Sequence, residues 1–257
     1  PPCTKMIIKS GINEVFYSIN DIDNKMKGKS FKILRKKKIK VIKGLLKKEA
    51  LDLYDSYIIN RKHKLPYVTA KIAVSNNDII YNQNIKRITD KTSDKLSHYL
   101  RFKNDAIMIS SNTLNVDNPK LNCRLKGFEN FSPIRIILDK NLDIDLNSYI
   151  LKSVKKENTI IIHNSVDQIK IRFLEKKGIN LIKSKLDNKK KFDLKNIFKK
   201  LFLIGIRHLL IEGGDKMTKN ILKYKLADQF YLFKSPKNLP KSKKNIMFSS
   251  KNILKNN

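Results

Sequence analysis

No stretch of this sequence has the roughly 18 to 20 consecutive apolar residues that a membrane-spanning helix needs. The longest apolar runs, at 201–206 and 159–162, have only the length of a buried strand or helix core. The opening Pro1-Pro2-Cys3-Thr4 lacks the charged region and apolar stretch of a secretory signal, so the expected location is cytoplasmic, with no membrane partner. The two cysteines, Cys3 and Cys123, share no motif, and a disulfide framework is not expected. The four histidines (His63, His98, His163, His208) show no metal-ligand spacing. Tryptophan is absent, yet 12 Phe and 9 Tyr supply large rings, and 40% apolar residues suffice for a core. A length of 257 residues allows one large domain, or one domain plus a small piece. Acidic residues are few: 23 against 56 Lys plus Arg, a net charge of +33. Such a charge suggests nucleic acid. Lys far outnumbers Arg, however, and Arg is the fork that base and phosphate recognition favours. The basic residues are also spread along the whole chain among Ile and Asn, as A/T-rich coding would produce. No specific nucleic-acid partner is expected, although the potential would draw phosphate-bearing substrates.

Apolar spacing predicts alternating helices and strands. Residues 4–10 read as a short helix ended by Gly11, 14–19 as a strand, 31–38 as a helix and 39–42 as a strand. Residues 45–59 read as an amphipathic helix with Leu46, Ala50, Leu53 and Tyr57 on one stripe, followed by a polar linker at 61–65. Beyond Pro66, strands are predicted at 67–74, 105–109, 133–138, 159–162, 179–182, 207–211 and 229–233. Thr89 is expected to cap a helix reaching Phe102. Ser165 and Gln168 form a capping-box pattern before a helix with Val166, Ile169 and Phe173 on one face. Asp193 opens a helix carrying Leu194, Ile197, Phe198 and Leu201. Strands alternating with helices argue for a layered α/β sheet, with ligands beyond the carboxyl ends of its strands. After Pro236 the Lys/Asn/Ser mixture predicts a poorly ordered tail.

Three clusters could carry chemistry. Thr113, Asp117, Pro119, Leu121 and Arg124 fall within twelve residues after a predicted strand. An Asp there can accept from a ribose diol, and an Arg can fork a phosphate or pyrimidine oxygens. On composition alone, a surface loop with an Asp turn and a solvated Arg is the better explanation of the same residues. Glu212-Gly213-Gly214 ends a strand before a helix, where backbone N–H groups can face a phosphate; a tight connection is the plainer reading of the glycines. Lys71 lies inside an otherwise apolar strand, either facing solvent or projecting into a site. Arg101, at a helix end, is accounted for by the helix dipole. Gly28-Lys29-Ser30 resembles the tail of a phosphate-binding loop, but Asp23 stands where that loop needs glycine.

Taken in order, these stretches resemble the bifunctional riboflavin-biosynthesis deaminase–reductase family. Pro1-Pro2-Cys3-Thr4, followed by Ile7 to Ile12, resembles the end of its deaminase zinc motif. Pro66-Tyr67-Val68 with Lys71, then Ile88-Thr89, Leu100-Arg101, 113–124, 133–139 and 212–214, resemble its reductase part. The resemblance implies an α/β chain: a partial cytidine-deaminase-like piece over 1–62, a dihydrofolate-reductase-like domain over 66–236, and the tail 237–257. It implies an NADPH-dependent reductase that acts on 5-amino-6-(5-phosphoribosylamino)uracil, the alternative within the same fold being a related reductase that acts on another pyrimidine or pteridine. It further implies a homodimer. Positions matching the cofactor site are Ala73, Arg87, Thr113 and Asp117, together with Gly213 and the turn from Gly214 to Asn220, with Gly214, Asp215 and Lys216 at its start. Those matching the substrate site are Arg101, Leu121, Arg124 and Glu212, with Lys71 and Glu212 as the candidate catalytic pair. Ile85, Arg87 and Lys140 stand where the family has serine, tryptophan and serine. Zinc belongs to a complete deaminase domain, which needs a His-x-Glu motif and two cysteines; Cys3 alone matches a ligand. A basic RNA-associated protein is the alternative from another class, resting on charge alone.

Overall fold

The computed structural model describes residues 2–85 and 87–255. Pro1, the first residue of the proline pair, and the last two residues of the 237–257 segment lie outside the described residues. The chain divides into two compact units, Pro1–Leu65 and Pro66–Asn257.

The first unit runs α1 (Cys3–Lys9), β1 (Glu14–Tyr17), α2 (Lys29–Lys36), β2 (Lys40–Lys43), α3 (Lys47–Leu53) and α4 (Asp55–His63). β1 and β2 pair in parallel, with Glu14 opposite Lys40. The helix expected over 45–59 is two helices that meet at Tyr54, whose backbone (φ −96°, ψ 7°) leaves the helical region. Leu46, Leu53 and Tyr57 of the expected apolar stripe are exposed. The polar stretch at 61–65 is helical through His63 rather than a linker throughout.

The second unit contains β3 (Tyr67–Val74), β4 (Ile79–Tyr81), α5 (Lys91–Lys103), β5 (Ala106–Ser110), α6 (Ser111–Asp117), β6 (Ile134–Leu138), α7 (Tyr149–Lys152) and β7 (Thr159–His163). It continues with α8 (Gln168–Lys176), β8 (Asn180–Lys183), α9 (Leu194–Leu203), β9 (His208–Ile211), α10 (Asp215–Lys223), β10 (Gln229–Lys234), β11 (Ile246–Met247) and α11 (Lys251–Lys255). Seven strands form one sheet in the order β10-β3-β9-β5-β6-β7-β8, and every pairing is parallel. All seven carboxyl ends therefore share one edge. The strands are Ile/Leu-rich because helices cover both faces: Ile107, Ile137, Ile161 and Leu210 are fully buried in one core cluster with Leu100, Leu114 and Leu174.

Helix starts follow the strongest available acceptor. Asp90, not Thr89, caps α5 by accepting from the Ser93 N–H at 2.8 Å. Asp167, not Ser165, caps α8 by accepting from the Ile169 and Lys170 N–H groups. A carboxylate outcompetes a hydroxyl for these donors. With α8 starting at Gln168, Leu174 faces the core while Val166, Ile169 and Phe173 are exposed, so the buried face is not the expected one. Asp193 caps α9 as expected, and Ile197, Phe198 and Leu201 are buried.

Residues 237–255 are folded onto this unit rather than poorly ordered. Leu239 and Phe248 are buried, and β11 pairs antiparallel with β4. Side-chain amides hold the connection: Asn77 donates to the Leu239 carbonyl at 2.8 Å, and Asn82 to the Pro240 carbonyl at 3.2 Å. The polar composition that suggests disorder here supplies those donors.

At the amino end of β6, Arg135 is 1% exposed. Its guanidinium donates to Thr159 Oγ1, Ser153 Oγ, Glu157 Oε2 and the Ile150 and Glu157 carbonyls. One cation thus fastens the whole 150–159 connection. Removing one partner of a buried pair costs roughly 3–5 kcal/mol. Arg135→Ala is expected to lose that much in urea-unfolding stability; a loss within measurement error would show that the network contributes nothing.

Candidate active site

The sheet reverses its direction of winding around β9, which lies between β3 and β5. Such a switch point leaves a crevice beyond the carboxyl ends. A cleft with a cavity volume of about 170 Å³ opens there. Its walls come from β3 (Lys71, Ala73), α6 (Thr113, Asp117) and the turn Glu212-Gly213-Gly214, with Tyr81 and Ile246 opposite.

Glu212 follows β9 directly. Ala70 is in register with Ile211, so Lys71 and Glu212 are neighbours across the strand ends. The Glu212 carboxylate, 14% exposed, meets Arg101 of α5 in a two-pronged pair: Nε to Oε1 and Nη2 to Oε2, both 3.0 Å. Burial opposes ionisation of Glu212, but Arg101 and then Lys71 outweigh it and hold the pKa down at about 2. Glu212 is therefore a fixed acceptor at neutral pH, not a proton donor. No Lys71–Glu212 ion pair within bonding distance occurs among the described residues; the Lys71 ammonium lies 5.0 Å from the Phe233 ring centroid.

The stretch expected to be a loop at 113–124 begins as α6. Ser110 caps it, accepting from the Thr113 N–H at 3.3 Å. That helix places Thr113, Val116 and Asp117 on the cleft face. Burial raises the Asp117 carboxyl above its ordinary value.

The two glycines of the turn differ. A Cβ on Gly213 would come within 2.5 Å of Met217 Sδ and 2.7 Å of its Cβ, so Gly213 is required by packing against α10. A Cβ on Gly214 would meet only Thr113 Oγ1, at 3.8 Å, and would project into the cleft. Gly214 is the N-cap of α10, with no side-chain cap on the helix. The first-turn N–H groups beside the cleft suit an anion.

Other expected site residues lie elsewhere. Arg101 does not line the cleft, and its fork is taken by Glu212, with Nη1 on the Asn122 carbonyl at 3.2 Å. Arg124 is exposed and also outside the cleft lining; its Nη1 donates to Asn122 Oδ1 at 2.7 Å. Leu121 is 2% exposed, with its side chain in the core at φ +60°, so that side chain cannot touch a ligand. Arg87 is exposed and sits 3.2 Å from Asp94, away from the cleft lining, because the first-turn acid of α5 attracts it. Lys216 is exposed, and the Asp215 carboxylate is bonded to Ser249. Cys3 is an exposed free thiol, and no group of three or more metal-ligating side chains occurs among the described residues. A single thiol does not fit a zinc site.

His98 carried no signal in the sequence. Its Nδ1 accepts from the Arg124 N–H at 3.2 Å. Burial, then Arg101 and Arg124, lower its pKa from 6.5 to about 4.

A family model described as the RibD C-terminal domain matches residues 66–257. The riboflavin biosynthesis protein RibD of Aquifex aeolicus (strain VF5) is 34% identical over 239 residues, covering 92% of this chain and 65% of that protein. A diaminohydroxyphosphoribosylaminopyrimidine deaminase/5-amino-6-(5-phosphoribosylamino)uracil reductase from Thermotoga maritima superposes with a TM-score of 0.76 at 28% identity. That match covers 97% of this chain and 66% of the other. The Saccharomyces cerevisia riboflavin biosynthesis reductase Rib7 shares the fold, with a TM-score of 0.61 at 22% identity over 78% of this chain and 88% of the other. The chain spans slightly less than two thirds of the length of the first two. No helix among the described residues is long and apolar enough to cross a membrane.

Two outcomes follow from this geometry. Gly214→Val should leave the fold intact while filling the cleft, whereas Gly213→Val should lower the melting temperature by displacing Met217; equal melting losses would contradict the assignment. His98 is favoured neutral in the fold, so it lowers stability as pH falls from 6.5 towards about 4. His98→Gln should flatten the pH dependence of the melting temperature in that window, and an unchanged slope would refute the role.

Proposed function

This chain belongs to the RibD C-terminal domain family, and we propose that its second unit is an NADPH-dependent reductase of 5-amino-6-(5-phosphoribosylamino)uracil. The observation that carries this reading is the ionised Glu212, clamped by Arg101 beside Lys71 at the wall of a cleft that also contains an uncapped glycine turn. The Thermotoga maritima relative carries this activity in its name, the yeast one is named a riboflavin biosynthesis reductase, and neither a second substrate nor an RNA ligand has a comparable observation in its favour.

The cleft fits a dinucleotide. Gly214 leaves space for a pyrophosphate against the first-turn N–H groups of α10, and Thr113 and Asp117 offer a hydroxyl and a carboxyl to a ribose diol. Ala73 leaves room on the floor formed by β3. NADPH, when bound, supplies a hydride. The acceptor is C1′ of the substrate ribose in its opened imine form, and the product is the ribitylamino compound.

Each polar residue then has one task. Glu212, a carboxylate at neutral pH, accepts a hydrogen bond from a sugar hydroxyl and fixes the opened chain. Lys71 stands next to it as the nearest ammonium, able to donate a proton to the imine nitrogen as the hydride arrives. Arg101 acts through Glu212 as a positioning residue. Arg124, exposed beside Arg101 with one nitrogen on Asn122, has its remaining guanidinium donors available to the substrate phosphate. Residues 1–62 we read as part of a deaminase domain; with Cys3 as the one matching ligand, no deamination step is derived for them.

The test is steady-state kinetics of NADPH oxidation with the phosphoribosylamino-uracil. Lys71→Met should lower kcat by roughly two orders of magnitude with little change in KM. Arg124→Lys should raise KM about tenfold with kcat nearly unchanged. An active protein whose kcat survives Lys71→Met would overturn the proton-donor assignment, and wild type without NADPH turnover would overturn the function.

A further inference from the structure

Asp215 is the only acidic residue in the first turn of α10. A carboxylate at that position ordinarily lies near the free N–H groups and complements the helix dipole. In this cleft it would compete with an anionic ligand for the same donors and repel it. Both oxygens of this carboxylate are instead bonded to Ser249. The Ser249 N–H donates to Oδ1 at 2.7 Å, and the Ser249 hydroxyl donates to Oδ2 at 2.7 Å.

Ser249 is held in turn by its neighbours. Ile246 and Met247 pair with β4, and Ile246 reaches the cleft wall. Phe248 is buried and donates its N–H to the Asp78 carbonyl at 2.8 Å. Lys251 forms an ion pair with the Asp78 carboxylate. Residues 246–251 thus form a strap whose one exposed hydroxyl is directed at the helix start.

We infer that Ser249 is a positioning residue for cofactor binding: it holds the Asp215 carboxylate off the first turn of α10 and leaves that turn open to a pyrophosphate. This rests on the reading of the cleft as an NADPH site. It assigns a role to the C-terminal strap and makes Asp215 a group to be restrained, not a ligand contact.

The experiment measures the NADPH dissociation constant by fluorescence titration for wild type, Ser249→Ala, Ser249→Thr, Asp215→Ala and the Ser249→Ala/Asp215→Ala double variant. Melting temperatures are recorded alongside. Ser249→Ala should weaken NADPH on the order of tenfold, since it removes a hydrogen bond to a charged group. Ser249→Thr, which keeps the hydroxyl, should bind like wild type. In the Asp215→Ala background the Ser249 change should have no effect, because no carboxylate remains to be held. A general weakening of the fold would not be rescued in that way. If wild type fails to bind NADPH saturably, the cofactor reading falls and this inference with it. If wild type binds and Ser249→Ala binds equally well, or if Asp215→Ala does not remove the effect, the inference alone is overturned.

Discussion

A carboxylate placed at the end of a buried strand needs a counter-charge, and the pairing of Glu212 with Arg101 is the constraint around which the cleft is arranged. Isolated, a buried acid would take up a proton instead of paying the desolvation penalty. With two 3.0 Å contacts to one guanidinium it stays ionised. The pair links β9 to α5, and the third prong of Arg101 reaches the Asn122 carbonyl, so three chain segments far apart in sequence meet at one charge. His98 stays neutral through burial first and the two guanidinium groups second, and accepts the Arg124 N–H. Arg101 therefore helps hold Glu212 ionised and, after burial, helps keep His98 neutral, while its contact with the Asn122 carbonyl fixes the loop that carries Arg124.

The all-parallel sheet explains why such distant residues can converge. Every strand delivers its carboxyl end to the same edge, and the order β3-β9-β5 brings Lys71, Glu212 and α6 side by side. Antiparallel neighbours would send alternate strand ends to opposite edges. Arg135 works at the other end of β6, where it fixes a connection and touches no part of the cleft. The buried Arg135 and the half-buried Arg101 thus divide the work between the two edges of the sheet.

The parts of this arrangement that were legible in the sequence are those with strong local signals. Apolar runs marked β3, β5, β7 and β9 to within a residue or two, and Glu212-Gly213-Gly214 was readable as a strand end facing a helix start. Local signals failed where two acceptors competed, as at Thr89 against Asp90 and Ser165 against Asp167. The helix α6 was missed although Ser110 is an ordinary capping residue; with it, Thr113, Val116 and Asp117 fall at one-turn spacing on a single face. The destinations of Arg101, Leu121 and Arg87 were not legible, because each depends on a partner that only the tertiary fold supplies.

The C-terminal strap shows how composition misleads when polar groups are structural. Lys, Asn and Ser are poor at burying apolar area, and a segment rich in them is expected to stay disordered. Here two apolar anchors, Leu239 and Phe248, are buried, and amide and hydroxyl groups satisfy the backbone between them. Irregular backbone next to a cleft has no ladder of its own, so side-chain donors at Asn77, Asn82 and Asn245 substitute for one. That substitution lets a short, polar segment reach from the far end of the chain to the cleft wall at Ile246 and to the start of α10 at Asp215. A site whose floor is a rigid parallel sheet is in this way closed on one side by a segment that holds its position through hydrogen bonds as much as through apolar burial.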